Sequence, residues 1–196
     1  MTTYVSPEIT NELNDADEVD NGTGFSATTN TVSAVGSSNA GIRKNAGFRF
    51  ENVTVPQGAV VSAANIQGAV TSIAVDDPEL DIHAEAIDNS QNFSDNPDVT
   101  SRARTTASVS WSARGLGTGY KTSPDIAAVV QEVLDRAGWV SGNAMTIIFK
   151  GHASGNVTLQ VEEGDGGASA DGAILTIEYS SGAAALAVYD YRRRRV

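Results

Sequence analysis

The chain of 196 residues has no cysteine. Disulfides, thiolate zinc sites, iron–sulfur clusters and thiol nucleophiles are therefore excluded, and the fold is indifferent to the redox compartment. Charged residues are scarce at 19 %, and aromatic residues scarcer at 6 %. No apolar run approaches the roughly 20 residues that a membrane helix needs. The opening Met1-Thr-Thr-Tyr-Val-Ser-Pro-Glu8 has neither the basic start nor the apolar core of a secretory signal. These absences lead to the expectation of a protein made in the cytoplasm without a conventional export signal.

Hydrophobic residues still make up 40 % of the chain, and 19 glycines accompany many Ala, Ser and Thr. That mixture is too apolar for a disordered tail and too rich in turn formers for a helical bundle. The length suits one domain that can bury a core without metal or disulfide staples. Arg192, Arg193, Arg194 and Arg195 stand together; without them the body holds 9 basic against 24 acidic groups, a net −15. Such a body repels nucleic acid and anionic membranes, so neither is expected as a partner.

Residues 1–40 are polar and turn-rich, and read as a leading arm with one strand near Thr31–Val35. Asp15 to Gly22 has only the outline of a calcium loop. Counted from Asp17, the third position is Val19 and the twelfth Thr28, where oxygen ligands and a bidentate Glu belong. The main domain is expected over 41–182, followed by an Arg-rich extension over 183–196.

From Ala46 the period becomes two: Phe48 and Phe50 on one face, Arg49 and Glu51 on the other. Asn52 shifts the phase, and Pro56-Gln57-Gly58 reads as a turn with Pro at its second position. Val60–Ile73 predicts one long strand or two short ones. Leu80, Ile82, Ala84 and Ala86 alternate with Asp81, His83 and Glu85, which read as a solvated face; cation binding is the alternative. Val109 and Trp111 share a face, and further strands are expected at Ala144–His152, Val157–Glu162, Ile174–Tyr179 and Ala185–Tyr189. One helix is predicted over Pro124–Arg136, with Ser123 as N-cap and Gly138 as a left-handed cap. Its stripe is Ile126, Val129, Val130, Val133 and Leu134. Many short strands with one helix predict an all-β, antiparallel two-sheet sandwich.

Three stretches carry a resemblance: Ala46-Gly-Phe-Arg-Phe-Glu-Asn-Val-Thr-Val-Pro-Gln-Gly-Ala59, Thr100-Ser-Arg-Ala-Arg-Thr-Thr-Ala-Ser-Val-Ser-Trp111, and Pro124 through Ala144. With the closing Ile174-Leu-Thr-Ile-Glu-Tyr179, they resemble a jelly-roll-like module of bacterial surface proteins and phage virion proteins. That module is similar to carbohydrate-binding sandwich domains. Family members often carry a Tyr-Asp pair before the closing strand, where this chain reads Val161-Glu162-Glu163-Gly164-Asp165. The resemblance implies a jelly-roll-like sandwich and a phage structural protein, such as a capsid decoration or head-surface protein, with a tail appendage as the variant. Its partners would be other capsid or tail subunits or further copies of itself, and its place the virion surface. A carbohydrate-binding adhesion module recognising host-surface glycans is the alternative.

The residues themselves suggest little chemistry. His83 and His152 belong to no metal-hydrolase motif, and neither a Gly-x-Ser-x-Gly elbow nor a complete phosphate loop occurs. The expectation is a protein without catalytic residues or cofactor. Asp76, Asp77, Glu79 and Asp81 form the densest acidic cluster and are the weak candidates for a structural calcium. Trp111 and Trp139 read as core rather than sugar platforms. For docking, the candidates are Tyr189, Tyr191, Arg192, Arg193, Arg194 and Arg195: rings that bury well, and guanidinium groups that pair with a neighbour's carboxylates.

Overall fold

The alternation around Phe48 forms a strand, β5 (Lys44–Phe50), in the computed structural model of the chain. The structure describes residues 1–20, 22–27, 31–34, 43–73, 79–94, 98–112, 116–151, 159–162 and 172–181. Before β5 come β1 (Thr2–Val5), β2 (Asp15–Val19), β3 (Thr23–Ser26) and β4 (Thr31–Ala34). After it come β6 (Val60–Ile73), β7 (Glu79–Ala84), β8 (Val109–Ser112), β9 (Gly119–Thr122), the helix α1 (Ala127–Leu134), β10 (Met145–Gly151), β11 (Leu159–Glu162) and β12 (Ile174–Ser180).

Among the described residues these strands make two antiparallel six-stranded sheets. One runs β3-β2-β5-β10-β7-β8; the other joins β1, β12, β6, β11 and β4, with β9 also on β6. The pairs β1·β12, β5·β10, β6·β9 and β7·β8 are nested in the chain, and β12·β6 and β10·β7 join them side by side. Nested pairing of this kind is the jelly-roll wrapping, and the fold is a jelly-roll-like β-sandwich. Gln67 faces both Thr122 and Ile174, so β9 and β12 flank β6. Val70 faces both Gly119 and Val161, which puts β11 in line with β12 on the same edge. The 14-residue length of β6 serves both partners.

The core lies between the sheets. Phe48, Phe50, Leu80, Ile82 and Ile147 face Ile66, Leu175 and Ile177, all almost sealed from solvent. Phe149 meets Phe48 and Trp111 edge-on, with ring centroids 5.2 and 6.0 Å away. Burying side chains of this size contributes about 1.5–3 kcal/mol each. Trp139 is buried as well, and its indole Nε1 donates to the Val55 carbonyl at 3.0 Å. Both tryptophans are core residues.

Several expectations need correction. The leading residues are not an arm: β1 pairs with β12 and β2 with β5, so each sheet takes a strand from the first 20 residues. In the turn after Val55, the Ala59 N–H donates to the Pro56 carbonyl. Pro56 is therefore the first turn residue, and Gly58 (φ 67°) occupies the third, where a type II turn requires positive φ. The helix begins at Ala127 rather than Pro124. Ser123–Ile126 continues along β6 instead: the Ser123 and Ile126 N–H groups donate to the Ile66 and Ala64 carbonyls. The Ser123 hydroxyl accepts from Ile66 N, and Asp125 Oδ1 from Ala64 N and Ala127 N. The unpaired edge of β6 thus takes the groups that would have capped a longer helix. Gly138 does not adopt positive φ. It is small because a Cβ there would collide with the Asp88 carboxylate. The predicted strand at Ala185–Tyr189 lies outside the described residues.

Candidate functional site

A sheet covered on one side should show its polar alternates to water. In β5 and β10 Asn45, Arg49 and Thr146 are instead buried, and residues 85–94 and 98–105 lie over this part of the sheet, while Asp81 and His83 of β7 stay half-buried. Arg49 and Glu85, read from sequence as solvated, are 9 % and 8 % exposed. What holds the segment down is a polar layer joined at Ser90. Arg49 Nε donates to the Ser90 carbonyl (3.0 Å), and Arg102 Nη1 donates to the Ser90 hydroxyl (3.0 Å). That hydroxyl also donates to Glu85 Oε2 and lies 2.6 Å from Thr146 Oγ1.

Arg102 does most of the tying. Nη1 donates to Glu85 Oε2 at 2.7 Å and to the Gln91 carbonyl at 2.9 Å, Nη2 to the Asn92 carbonyl at 3.0 Å. Nε donates to the Asp98 carbonyl at 2.9 Å. Its guanidinium also lies 4.2 Å from the centroid of Phe93, a cation–π contact. Phe93 in turn rests on Gly47, where a Cβ would run into the ring. Gly47→Ala should therefore overpack this layer by about 1–3 kcal/mol. For a chain of this size, the melting temperature should fall by about 2–12 °C in a thermal scan.

The layer extends to β2. Glu18 is fully buried, and its Oε2 accepts from Val99 N (3.0 Å) and Thr100 N (2.6 Å). His83 Nδ1 donates to the Thr105 carbonyl at 3.2 Å. Burial holds its imidazole below the ordinary histidine range, with the charges of Arg104 and Lys150 acting in the same direction. Arg104 is also held below its usual value by burial, while Asp20 opposes the shift.

Chemically this layer is a clamp. Ser90 is 1 % exposed, and Arg102 neutralises Glu85, so these two are tied up as partners in the layer. One part does open outward. Beside Arg49 lies a recess of about 140 Å³, with polar walls at Glu8, Thr10, Asn11, Asn14, Arg49 and Glu51 and apolar ones at Pro7, Ile9 and Phe50. Arg49 Nη1 donates to Asn14 Oδ1 (2.6 Å) and Glu51 Oε1 (2.7 Å) at its floor. Glu8 Oε1 is buried with no hydrogen-bond partner.

Of the residues proposed from sequence, Asp76 and Asp77 lie outside the described residues, as do Tyr189, Tyr191 and Arg192–Arg195. Glu79 and Asp81 lie on β7, opposite Ser112 and Ser110, and Asp81 Oδ1 accepts from the Ser110 hydroxyl at 2.7 Å. Among the described residues no three His, Asp or Glu side chains come together as a metal site. Sequence reasoning missed the clamp and the recess. Arg49 and Glu85 obey strand alternation, and nothing local marks a covered outer face. The one local signal was Gly47, a glycine in mid-strand, which often marks close approach of another group. No protein-family model matches the chain, and no curated protein matches it.

Proposed function

We propose that the chain is a structural protein of a phage virion surface, a capsid decoration protein or, as the variant, a tail appendage, acting by docking rather than by catalysis. The observation that supports it most is the contrast between the two outer faces. The clamp covers the β5–β10 part of one outer face. The other presents the rungs Thr3–Glu178–Ala63, Val5–Thr176–Asn65 and Ile174–Gln67–Thr122, all exposed or half-buried. Side chains that carry a single charge, Glu178, over three rungs suit contact with another subunit, because little charge must be desolvated. A body of net −15 needs such a neutral surface if copies or subunits are to meet.

The test is incorporation into particles. The chain should copurify with intact virions and appear on their surface in electron-microscopy maps. Thr176→Arg, in the middle of the bare face, should cut incorporation at least tenfold while leaving the melting temperature of the isolated protein unchanged. Normal incorporation of that variant would remove this face from the docking surface. The amides of Asn65 and Gln67 on the same face favour a second reading, a carbohydrate-binding adhesion module. Binding of host-surface glycans by the isolated protein, lost on Asn65→Ala, would establish that reading instead.

A further inference from the structure

Among the described residues β1 stands at the end of its sheet, bonded on one side to β12 and bare on the other. The Ser6 N–H donates to the Leu175 carbonyl at 2.9 Å, so Ser6 turns its backbone toward β12. Along an antiparallel strand successive residues alternate in this respect. Thr2 and Tyr4 therefore bond to β12, while Thr3 and Val5 aim their amides and carbonyls away from it. Among the described residues no backbone group meets Thr3 or Val5 from that open side. Thr2, Thr3 and Val5 are exposed, Val5 at 56 %, which leaves room for another strand.

Proteins guard open strand edges with charge, proline or a bulge. β9, another edge strand, carries Lys121. β1 has no such guard: residues 1–6 hold no charged side chain and no proline, and the ladder with β12 is unbroken over Thr2–Val5. We infer that β1 pairs antiparallel with β1 of a second copy of this chain, across a two-fold axis, so that one sheet runs through both molecules. With Thr3 opposite Val5 of the second copy, all the outward amides and carbonyls of both strands bond within β1. On the outer face each Thr3 then lies beside a Val5, a favourable β-branched pair. Pro7, which has no N–H, ends the ladder just beyond. A second copy is the occupant because this register makes the strand complementary to itself. It also lets two chains of net −11 meet where no like-charged side chains stand opposite. The contact uses the edge of the sheet rather than its outer face, so it goes beyond the assembly reading and stands or falls separately.

Sedimentation velocity of the full chain across concentration and salt is the first test. Dimers should form, and more tightly as salt rises, because salt screens the repulsion between acidic bodies. Thr3→Pro removes an outward N–H that the fold does not use. It should weaken dimerisation at least tenfold while the melting temperature holds. Should that proline disturb β1 itself, Val5→Lys places a charge on the same edge and should cause the same loss. Hydrogen exchange locates the contact: the Thr3 and Val5 amides should exchange freely in dilute protein and become protected as dimers form. Cross-linking reads the register, in a chain that has no cysteine of its own. A Thr3→Cys chain mixed with a Val5→Cys chain should form a disulfide on mild oxidation, since facing Cα atoms stand about 5.5 Å apart. Neither chain alone should do so, because like positions lie beyond the reach of about 7 Å. Equal cross-linking of either chain alone overturns the inference. So does a chain that stays monomeric at all concentrations, or dimers that survive both Thr3→Pro and Val5→Lys. Protection of Thr3 and Val5 that ignores concentration also overturns it, since a segment of the same chain would then fill the edge. If the chain stays monomeric in solution while Thr176→Arg blocks incorporation into particles, the edge pairing is wrong and the assembly reading stands.

Discussion

Replacing Arg102 by methionine is expected to be among the most damaging single changes outside the hydrophobic core. The guanidinium is buried and ties Glu85, the carbonyls of Gln91, Asn92 and Asp98, and the Phe93 ring. Methionine keeps much of the volume and removes every donor. Glu85 would remain as an uncompensated buried charge, and breaking one partner of such a pair costs about 3–5 kcal/mol. At this chain length the melting temperature should fall by about 6–20 °C. Adding Glu85→Gln should restore part of the loss, because the orphaned charge is removed; Glu85→Gln alone should cost less than Arg102→Met. A single variant melting within 2 °C of the parent would show that the segment 85–105 is held by packing alone.

Val130→Asp attacks the other anchor. Val129, Val130, Val133 and Leu134 are buried on α1, which packs on β6 and β7. The helix has 8 residues and no side-chain cap at Ile126, so it depends on this packing rather than on its own propensity. An aspartate at Val130 would be fully buried among apolar neighbours. The cost should be several kcal/mol, on the order of a third or more of the stability of a typical domain. Val130→Ala, which removes volume without adding charge, should cost on the order of 2 kcal/mol. Chemical denaturation of the three proteins checks the order. Equal midpoints for Asp and Ala would mean that the stripe is open to water.

The two variants also mark where sequence reading works and where it stops. The stripe of α1 and the alternation at Phe48–Phe50, Leu80–Ala84 and Ile174–Ile177 were legible because their inward positions are uniformly apolar, a local pattern. The clamp was not. Arg49 and Glu85 occupy the positions that alternation assigns to solvent, and only a distant segment, 85–105, makes those positions interior. The opening strands were hidden by composition. Asp15 and Asp17 lie opposite Phe48 and Ala46 on β5, and Asp17 is tolerated in so buried a place partly because Lys44 Nζ sits 3.2 Å from it. The helix start was misplaced because Ser123 and Asp125 are good caps for a helix and equally good acceptors for a strand edge. As for the candidate site, the acidic lining of the recess comes from residues 8 and 51, brought together only by the pairing of the two sheets.

The place of β12 between β1 and β6 has a consequence for how the molecule is made. A chain leaving the ribosome delivers Thr2–Val5 some 170 residues before Ile174–Ser180, yet these two segments bond to each other. Until the late strand arrives, β1 lacks this partner, and β6 displays a row of free amides and carbonyls along the edge that β12 will fill. Such contacts, distant in sequence, slow the search for the native state, and open strand edges invite pairing with other chains during that search. β12 therefore acts as a keystone: its insertion joins β1 to β6 and fills that edge of β6 in one step. Nascent chains stalled before residue 174 should accordingly bind chaperones and remain sensitive to protease, and chains released past residue 180 should not.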